Sequence, residues 1–166
     1  MPDLFRVVLE GKQYTIPYRT YEGKRFFDRS QQALCDDTRH HDGFVREKNL
    51  LMLLKCKEIH YASLPYILKL AEEYVLEITK MVNDNLHRIP EAMWKDFLGE
   101  NPKWLDIMEC RCISYWDCYY RRVPITEAIL MTKGGYRLHP EWGIVYFDRN
   151  DYPGIQAVNY LRSLVE

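Results

Sequence analysis

Two adjacent histidines and an aspartate, His40, His41 and Asp42, form a dense group of side chains that could do chemistry. Imidazole and carboxylate groups are ligands for zinc, manganese and iron, so the group could contribute to a metal site. Neighbouring residues rarely converge on one ion, however, and the helical spacing of a two-histidine metal motif is absent. We therefore favour a loop in which Asp42 caps the helix that follows.

A second polar segment, TKGGYRLHPEWG, contains His139 and Glu141. Together with His40, His41 and Asp42, these residues could serve a small metal-dependent hydrolase or nuclease. The glycine-rich signatures of nucleotide-binding loops and the serine elbow of hydrolases are missing. An enzyme of this kind is our alternative hypothesis. The hypothesis that we favour, which is given below, is a protein without a catalytic residue, metal or cofactor.

The chain has five cysteines, an odd number without a repeated spacing, at Cys35, Cys56, Cys110, Cys112 and Cys118. Without a secretion signal, reduced thiols are expected rather than a disulfide framework. Residues two apart on a helix point about 200° away from each other, so Cys110 and Cys112 do not suit one metal ion. We predict that the cysteines are mostly buried as small apolar side chains.

Aromatic and basic side chains alternate in the segment SYWDCYYRRVP. Its candidate contact residues are Tyr115, Trp116, Tyr119, Tyr120, Arg121 and Arg122. This composition is typical of a base-stacking platform or of a hot spot in a protein interface. The rings cannot all share one narrow helical stripe, so at least one is predicted to face outward. His40 and His41, which have no structural role in the pattern, complete the predicted contact residues.

The elements that must position these side chains are mainly helical. The first segment, LFRVVLEGKQYTIPY, alternates in polarity and predicts a β-hairpin that turns at Gly11 and Lys12. The segment DRSQQALCDD predicts a short helix capped by Asp28, and GFVREKNLLMLLKCKEI predicts an amphipathic helix after Asp42.

The longest regular pattern covers residues 64–82, where apolar residues recur at steps of three and four. It predicts one helix of about twenty residues that is buried along one side. Glu72 and Glu73 are assigned to its other faces, where charged side chains are normally solvated.

Further helices are predicted for residues 90–98, for residues 102–122 and after Pro124, whose ring must end or kink a helix. The segment IVYF at Ile144–Phe147 is the best late strand candidate and could pair with the hairpin. The final segment, IQAVNYLRSLV, predicts a helix with one apolar face, which consists of Ile155, Val158, Leu161 and Val165.

These patterns predict an α+β, predominantly α-helical fold: a compact helical bundle with an N-terminal β-hairpin and a short late strand. At 166 residues the chain has the usual size of one domain, so residues 1–166 are assigned to a single domain. Within it, residues 1–18 form the hairpin, residues 28–133 the helical core, and residues 136–166 a strand, loop and C-terminal helix. The core is expected to hold roughly five to seven helices.

The segment ALCDDTRHHDGFVREKNLLMLL, within residues 30–54, resembles one unit of a HEAT-type helical repeat. Such units pair two antiparallel helices, with an acidic residue in the turn and a Val-Arg pair opening the second helix. Asp36 or Asp42 would be the turn acid, while Val45 would open the second helix and Arg46 would lie at its solvent edge. The turn is longer than in HEAT units, and no second unit recurs. The resemblance implies a protein-binding scaffold without a catalytic residue.

Composition and charge narrow the class of function. Lys plus Arg number 23 and Asp plus Glu 24, so the net charge of -1 provides no overall attraction for nucleic acid or anionic membranes. Arg121 and Arg122 nevertheless keep nucleic-acid binding as a third hypothesis. No signal-peptide pattern and no apolar run of roughly 18 residues occurs, which predicts a cytoplasmic protein outside the membrane.

The leading hypothesis is a non-catalytic cytoplasmic module that binds another protein. An inhibitor, an immunity protein or antitoxin, or an anti-CRISPR-like protein would fit its size and its 13 tyrosines. Tyrosine combines a large contact area with few rotatable bonds and a hydroxyl that tolerates water, which suits a recognition surface. No pattern in the sequence identifies the partner, and the sequence is also compatible with a homo-oligomer.

Overall fold

A computed structural model describes residues 3–21, 30–141 and 144–166. Over these ranges the fold is α+β and predominantly helical, which confirms the predicted class. The helices are α1 Gln31–Asp37, α2 Gly43–Leu54, α3 Leu64–Ala71, α4 Leu76–Asn83, α5 Glu91–Glu100, α6 Trp104–Tyr115, α7 Ile125–Lys133 and α8 Pro153–Val165. The strands are β1 Leu4–Leu9, β2 Lys12–Pro17, β3 Arg122–Val123, β4 Leu138–Glu141 and β5 Ile144–Phe147. Buried apolar side chains from the hairpin, the helices and the late strands form one core cluster.

The N-terminal hairpin is confirmed, with β1 and β2 antiparallel. Leu9 pairs with Lys12, so the two-residue turn is Glu10 and Gly11, one residue before the predicted position. Both turn residues have positive φ, 51° and 72°, which matches the twist of a hairpin and which glycine adopts without steric cost. The Glu100 carboxylate of α5 accepts hydrogen bonds from both turn amides, at 3.0 and 2.7 Å, and this contact ties the hairpin to the helices.

The late strand candidate is confirmed as β5, but the pairing with the hairpin is wrong. β5 lies between β3 and β4 in a separate antiparallel sheet. Its partners are close in sequence, and closing a shorter loop costs less chain entropy than reaching the start of the chain. Phe147 of β5 is fully buried and packs against the rings of Tyr120, Tyr136 and Tyr152.

The single helix predicted for residues 64–82 is wrong, because α3 and α4 are separated by residues 72–75. With the break counted, the described part of residues 28–133 contains seven helices, α1 to α7, which is within the predicted range of five to seven. The apolar stripe stays buried on both sides of the break, at Leu64, Leu68, Ala71, Ile78 and Val82. Glu72 and Glu73 are only 5% and 2% exposed, where the pattern assigns them to solvent.

Side chains from distant segments satisfy the backbone carbonyl groups at the break. The Tyr152 hydroxyl donates to the Glu73 carbonyl at 2.7 Å. The Tyr120 hydroxyl donates to the carbonyl of Tyr74. These donors replace the intrahelical partners that carbonyl groups lose where a helix ends. Tertiary contacts, rather than local preference, therefore determine where this helix stops.

Helix α8 closes the core beside the same break. A Cβ on Gly154 would lie 2.6 Å from the Cys112 sulfur and 2.8 Å from the Ala71 carbonyl oxygen. Only glycine therefore lets α8 approach the end of α3 this closely. The predicted apolar face is buried at Ile155, Val158 and Leu161, whereas Val165, its fourth member, is 48% exposed.

Helix caps determine the start of α1 and α2. The Asp42 side chain accepts a hydrogen bond from the Phe44 amide at 2.9 Å, which confirms the predicted cap of α2. The cap of α1 is Ser30, whose hydroxyl accepts from the Ala33 amide at 3.3 Å. The predicted cap, Asp28, lies outside the described residues.

Candidate binding surface

Three arginines surround the buried carboxylate of Glu73. Arg46 donates two hydrogen bonds to Oε2, from Nε at 3.0 Å and from Nη2 at 2.8 Å. Arg19 donates to Oε1 at 2.8 Å, and Nη2 of Arg39 lies 3.9 Å from the same oxygen. Arg46 and Arg39 are buried, while the Arg19 side chain is 30% exposed. Burial of these cations is tolerable only because a carboxylate lies among them.

The neighbouring carboxylate, Glu72, binds two further cations. Nζ of Lys69 lies 2.7 Å from it, and Nη1 of Arg111 lies 2.9 Å from it. The Lys69 ammonium group also lies over three aromatic rings, 4.6 to 5.3 Å from their centroids, which belong to Phe5, Tyr18 and Trp104. Burial lowers the pKa of Lys69 to about 8, and the charge of Glu72 opposes that decrease.

Arg39 differs from the other four cations because it lacks a hydrogen-bond acceptor. The residue is 0% exposed, and none of the described residues accepts a hydrogen bond from Nε, Nη1 or Nη2. Burial lowers the pKa of Arg39 to about 10, so the side chain stays protonated at neutral pH. A buried guanidinium group without an acceptor destabilises the fold unless another group pairs with it.

The predicted contact residues His40 and His41 lie in the loop between α1 and α2, which we call the histidine loop. Nη1 of Arg46 donates to both of their carbonyl oxygens, at 3.0 and 2.8 Å. The exposed His41 ring stacks on the ring of Tyr21, with centroids 5.2 Å apart. The position predicted for Arg46, at the solvent edge, is wrong, because its side chain is only 1% exposed. Arg46 therefore ties the histidine loop to Glu73.

Three tyrosine rings cluster on the surface beside the break. The ring centroid of Tyr74 lies 6.1 Å from that of Tyr115 and 5.5 Å from that of Tyr119. The rings of Tyr115 and Tyr119 are 6.2 Å apart. Tyr74 is 46% exposed and Tyr119 is 55% exposed, while Tyr115 is half-buried. We call these three residues the tyrosine surface.

A single π-helical turn, Trp116–Tyr120, follows α6 and positions part of this surface. The Arg121 amide donates to the Trp116 carbonyl at 2.7 Å, five residues earlier. The α-helix predicted for residues 102–122 therefore ends at Tyr115. Such turns widen the helix by one residue and frequently occur at functional sites.

The other predicted contact residues of this segment have two kinds of environment. Trp116 and Tyr120 are half-buried, and Nε1 of Trp116 donates to a carbonyl oxygen at the end of β5 at 2.8 Å. Burial raises the pKa of Tyr120 to about 12. Arg121 and Arg122 are exposed, and Arg121 pairs with Asp117 at 2.8 Å. Trp116 and Tyr120 thus attach the segment to the core, while the two arginines lie in solvent beside it.

Glu73 connects the histidine loop with the tyrosine surface, although most of their residues are far apart in sequence. Its carboxylate holds the histidine loop through an arginine, and its neighbour Tyr74 belongs to the tyrosine surface. Burial raises the pKa of Tyr115, and the positive charges of Arg111 and Arg19 oppose that increase. The side chains of Arg19 and Arg111 are 30% and 34% exposed and pair with the buried carboxylates of Glu73 and Glu72, so the buried charges reach the surface there.

Sequence reasoning missed the residues that make this connection, namely Arg19, Arg39, Glu72, Glu73, Tyr74 and Arg111. One signal was available: in a helix, Glu72 would lie one turn after Leu68 and therefore beside the apolar stripe, although the pattern as a whole assigns it to solvent. A charge on such a face is rarely buried without a partner. The partners themselves come from other elements, and no pattern in the sequence identifies them.

The prediction for the cysteines is correct for two of them and wrong for two others. Cys35 and Cys112 are buried, whereas Cys110 and Cys118 are exposed and Cys56 is intermediate. Helix α6 buries one face, and Cys112 lies on it while Cys110 does not. All five thiols are free.

The residues of the metal-dependent hypothesis lie on different elements. Nδ1 of His40 accepts a hydrogen bond from the Asp42 amide at 3.1 Å. His139 lies in β4, with Nε2 3.9 Å from the carboxylate of Asp148. Glu141 ends β4, and its side chain lies outside the described part of the structure. Within residues 3–21, 30–141 and 144–166, no group of three His, Cys, Asp or Glu side chains could hold a metal ion. This hypothesis stays a prediction without supporting geometry.

No protein-family model, curated protein or solved structure shows significant similarity to this chain. The resemblance of residues 30–54 to a HEAT unit stays a prediction, although α1 and α2 do pack against each other there. None of the described helices combines the length and apolar character that crossing a membrane requires.

Proposed function

We propose that this protein is a non-catalytic module that binds another protein through the tyrosine surface. The observation that carries the proposal is the clustering of three tyrosines, two of them 46% and 55% exposed, on one side of the fold. Aromatic side chains in contact with solvent form large contact areas when a partner covers them, and tyrosine is enriched among binding hot spots.

The backbone beneath the tyrosine surface is held in place by hydrogen bonds. The Tyr120 hydroxyl binds the carbonyl of Tyr74, and the preceding residue, Glu73, is held by its arginine partners. A surface that is already ordered loses less conformational entropy when a partner binds. Arg121, Arg122 and the histidine loop are proposed as the outer part of the contact.

The class of partner follows from charge and size. The near balance of 23 basic and 24 acidic residues supports a protein target over nucleic acid. We place the function among small proteins that act by direct contact, namely inhibitors, immunity proteins or antitoxins, and anti-CRISPR-like proteins. Five free thiols support a reducing compartment such as the cytoplasm.

Affinity capture from an extract of the source organism, quantified by mass spectrometry, tests the proposal. The variants are Tyr119→Ala and Tyr74→Ala, with Tyr14→Ala as the control because Tyr14 is also 46% exposed but lies on the hairpin. The partner is then purified and its Kd measured for each variant. Loss of a hot-spot tyrosine should cost at least about 2 kcal/mol, roughly thirtyfold in Kd.

Two results would contradict the proposal. Failure to enrich any protein over an unrelated bait of the same size would contradict the function. Equal Kd values for Tyr119→Ala and Tyr14→Ala with the purified partner would contradict the assignment of the site. For an inhibitor, stoichiometric addition of the protein should also lower the activity of the partner.

A further inference from the structure

The charges around Glu73 do not balance among the described residues. Arg19, Arg39 and Arg46 face one carboxylate, which leaves a formal excess of two positive charges. The nearby Glu72 is already paired with Lys69 and Arg111. Uncompensated charge in a buried site is costly, and such sites usually pair with an ion of opposite sign.

Arg39 is the member of the cluster whose three side-chain nitrogens all lack an acceptor among the described residues. Arg46 donates to Glu73 and to the histidine loop, and Arg19 donates to Glu73 and to the Tyr18 carbonyl. In contrast, no described residue accepts from any of the three nitrogens of Arg39. A guanidinium group presents five N–H donors in a planar fork, a geometry that matches the oxygens of phosphate and carboxylate groups.

We propose that this cluster is a binding site for a phosphate-type oxyanion, with Arg39 and Arg19 as its donors. Both arginines lie on the Oε1 side of Glu73, and a dianion would neutralise the excess of two charges. A single carboxylate would leave one positive charge unbalanced. Arg19, 30% exposed, is where the cluster meets solvent and where an anion would enter. The site stands independently of the tyrosine surface and of its protein partner.

Isothermal titration with inorganic phosphate, in chloride buffer at constant ionic strength, tests the site. The wild-type protein should bind one phosphate per chain in a saturable manner. Arg39→Met and Arg19→Gln each remove a charged donor and should weaken binding at least about tenfold. Arg88→Gln is the matched control, because it removes the same charge from an exposed side chain outside the cluster and should change Kd less than about twofold.

A thermal-unfolding comparison separates loss of the site from loss of the fold. In chloride, Arg39→Met should be at least as stable as the wild type, because it replaces a buried cation that has no acceptor. On addition of phosphate, the wild-type Tm should rise, since a ligand that binds only the folded state stabilises it, and the Tm of Arg39→Met should not. If Arg39→Met fails to fold, Arg19→Gln provides the same comparison.

A parallel titration with phosphoserine identifies the source of the anion. Tighter binding of phosphoserine than of inorganic phosphate would support a phosphorylated group as the natural ligand, and the reverse order would support the free ion. Absence of saturable binding of both by the wild type would overturn the proposal. Equal affinity of the wild type and a folded Arg39→Met variant would overturn it as well.

Discussion

Glu73 illustrates how a single carboxylate can hold several elements together. Moving an ion pair out of water costs free energy, and the attraction between the ions compensates only when their geometry is good. Arg46 meets this condition with two hydrogen bonds to the carboxylate and two to backbone carbonyls of the histidine loop. Substitution of Glu73 would therefore affect α2, α3 and the histidine loop at the same time.

Glu73→Gln should destabilise the fold by about 3 to 5 kcal/mol, because it leaves buried arginines without a counter-charge. Urea unfolding followed by circular dichroism measures the change. The control is Glu77→Gln, which removes a carboxylate from an exposed position of α4 and should change stability by less than about 0.5 kcal/mol. Similar losses for the two variants would show that Glu73 does not act as the centre of the cluster.

The buried thiol of Cys35 should make stability depend on pH. Burial raises its pKa from 9.0 to about 12, so the folded protein keeps a proton that the unfolded chain releases. This contribution to stability is fully present below pH 9.0 and is lost progressively as pH rises towards about 12.

Urea unfolding at increasing alkaline pH should therefore show a smaller decline for Cys35→Ala than for the wild type. The difference in slope should be at most about 1.4 kcal/mol per pH unit, the value for one proton. Near neutral pH, the stability difference between the two proteins should be constant. Parallel curves through the alkaline range would contradict a buried, protonated Cys35.

At the scale of elements, the break between α3 and α4 brings the charge cluster and the tyrosine surface together. In an uninterrupted helix, Glu72 and Glu73 would point about 100° apart around the helix axis. The break is stabilised by hydroxyl groups of Tyr120 and Tyr152, and α8 must come close for Tyr152 to reach it. The packing of α8 is therefore part of what shapes the site.

Gly154→Ala should destabilise the protein by about 1 to 3 kcal/mol, the usual range for overpacking a closely packed core. The added methyl group would lie 2.8 Å from a backbone oxygen of α3, which is too close. Either α3 or α8 must therefore move. Gly99→Ala in α5 is the control, because nothing lies within 4 Å of its added methyl group.

Since alanine is the better helix former, Gly99→Ala should leave stability unchanged or raise it by up to about 1 kcal/mol. Thermal unfolding of both variants provides the measurement. A loss of stability in Gly99→Ala as large as that in Gly154→Ala would rule out close approach of α8 as the cause.

At the scale of the whole molecule, the five cysteines report on how the core is assembled. Cys35 lies on α1, Cys110 and Cys112 lie on α6, and Cys56 and Cys118 follow the ends of α2 and α6. These side chains are chemically identical but differ in exposure. A thiol in the core becomes reactive only when the surrounding structure opens. Their reactivity therefore distinguishes this packing from another arrangement of the same helices.

Iodoacetamide should label Cys110 and Cys118 rapidly in the native protein, and Cys35 and Cys112 only after unfolding in urea. Mass spectrometry of the labelled peptides identifies each site. The comparison of Cys110 with Cys112 is the more stringent test, because these thiols are two residues apart on α6 and differ in burial. Equal native labelling of these two thiols would be incompatible with the described orientation of α6.

The local pattern of residues was sufficient for the class of fold and for most elements. Alternation predicts the hairpin, steps of three and four predict the apolar faces of the helices, and Asp42 is correctly predicted as a cap. These features depend on interactions between residues that are close in sequence, so a linear pattern contains them.

The amino-acid sequence by itself thus determined an α+β, mainly helical fold and an aromatic segment suited to contact. Only the tertiary structure decided that the long helix breaks, that Glu72 and Glu73 are buried, and that β5 pairs with its near neighbours. It also decided which tyrosines of the aromatic segment face solvent, because Trp116 and Tyr120 are held by partners from other elements. Each of these outcomes depends on charges and hydroxyl groups that meet only after folding, and the free energy of burying a charge depends on those partners.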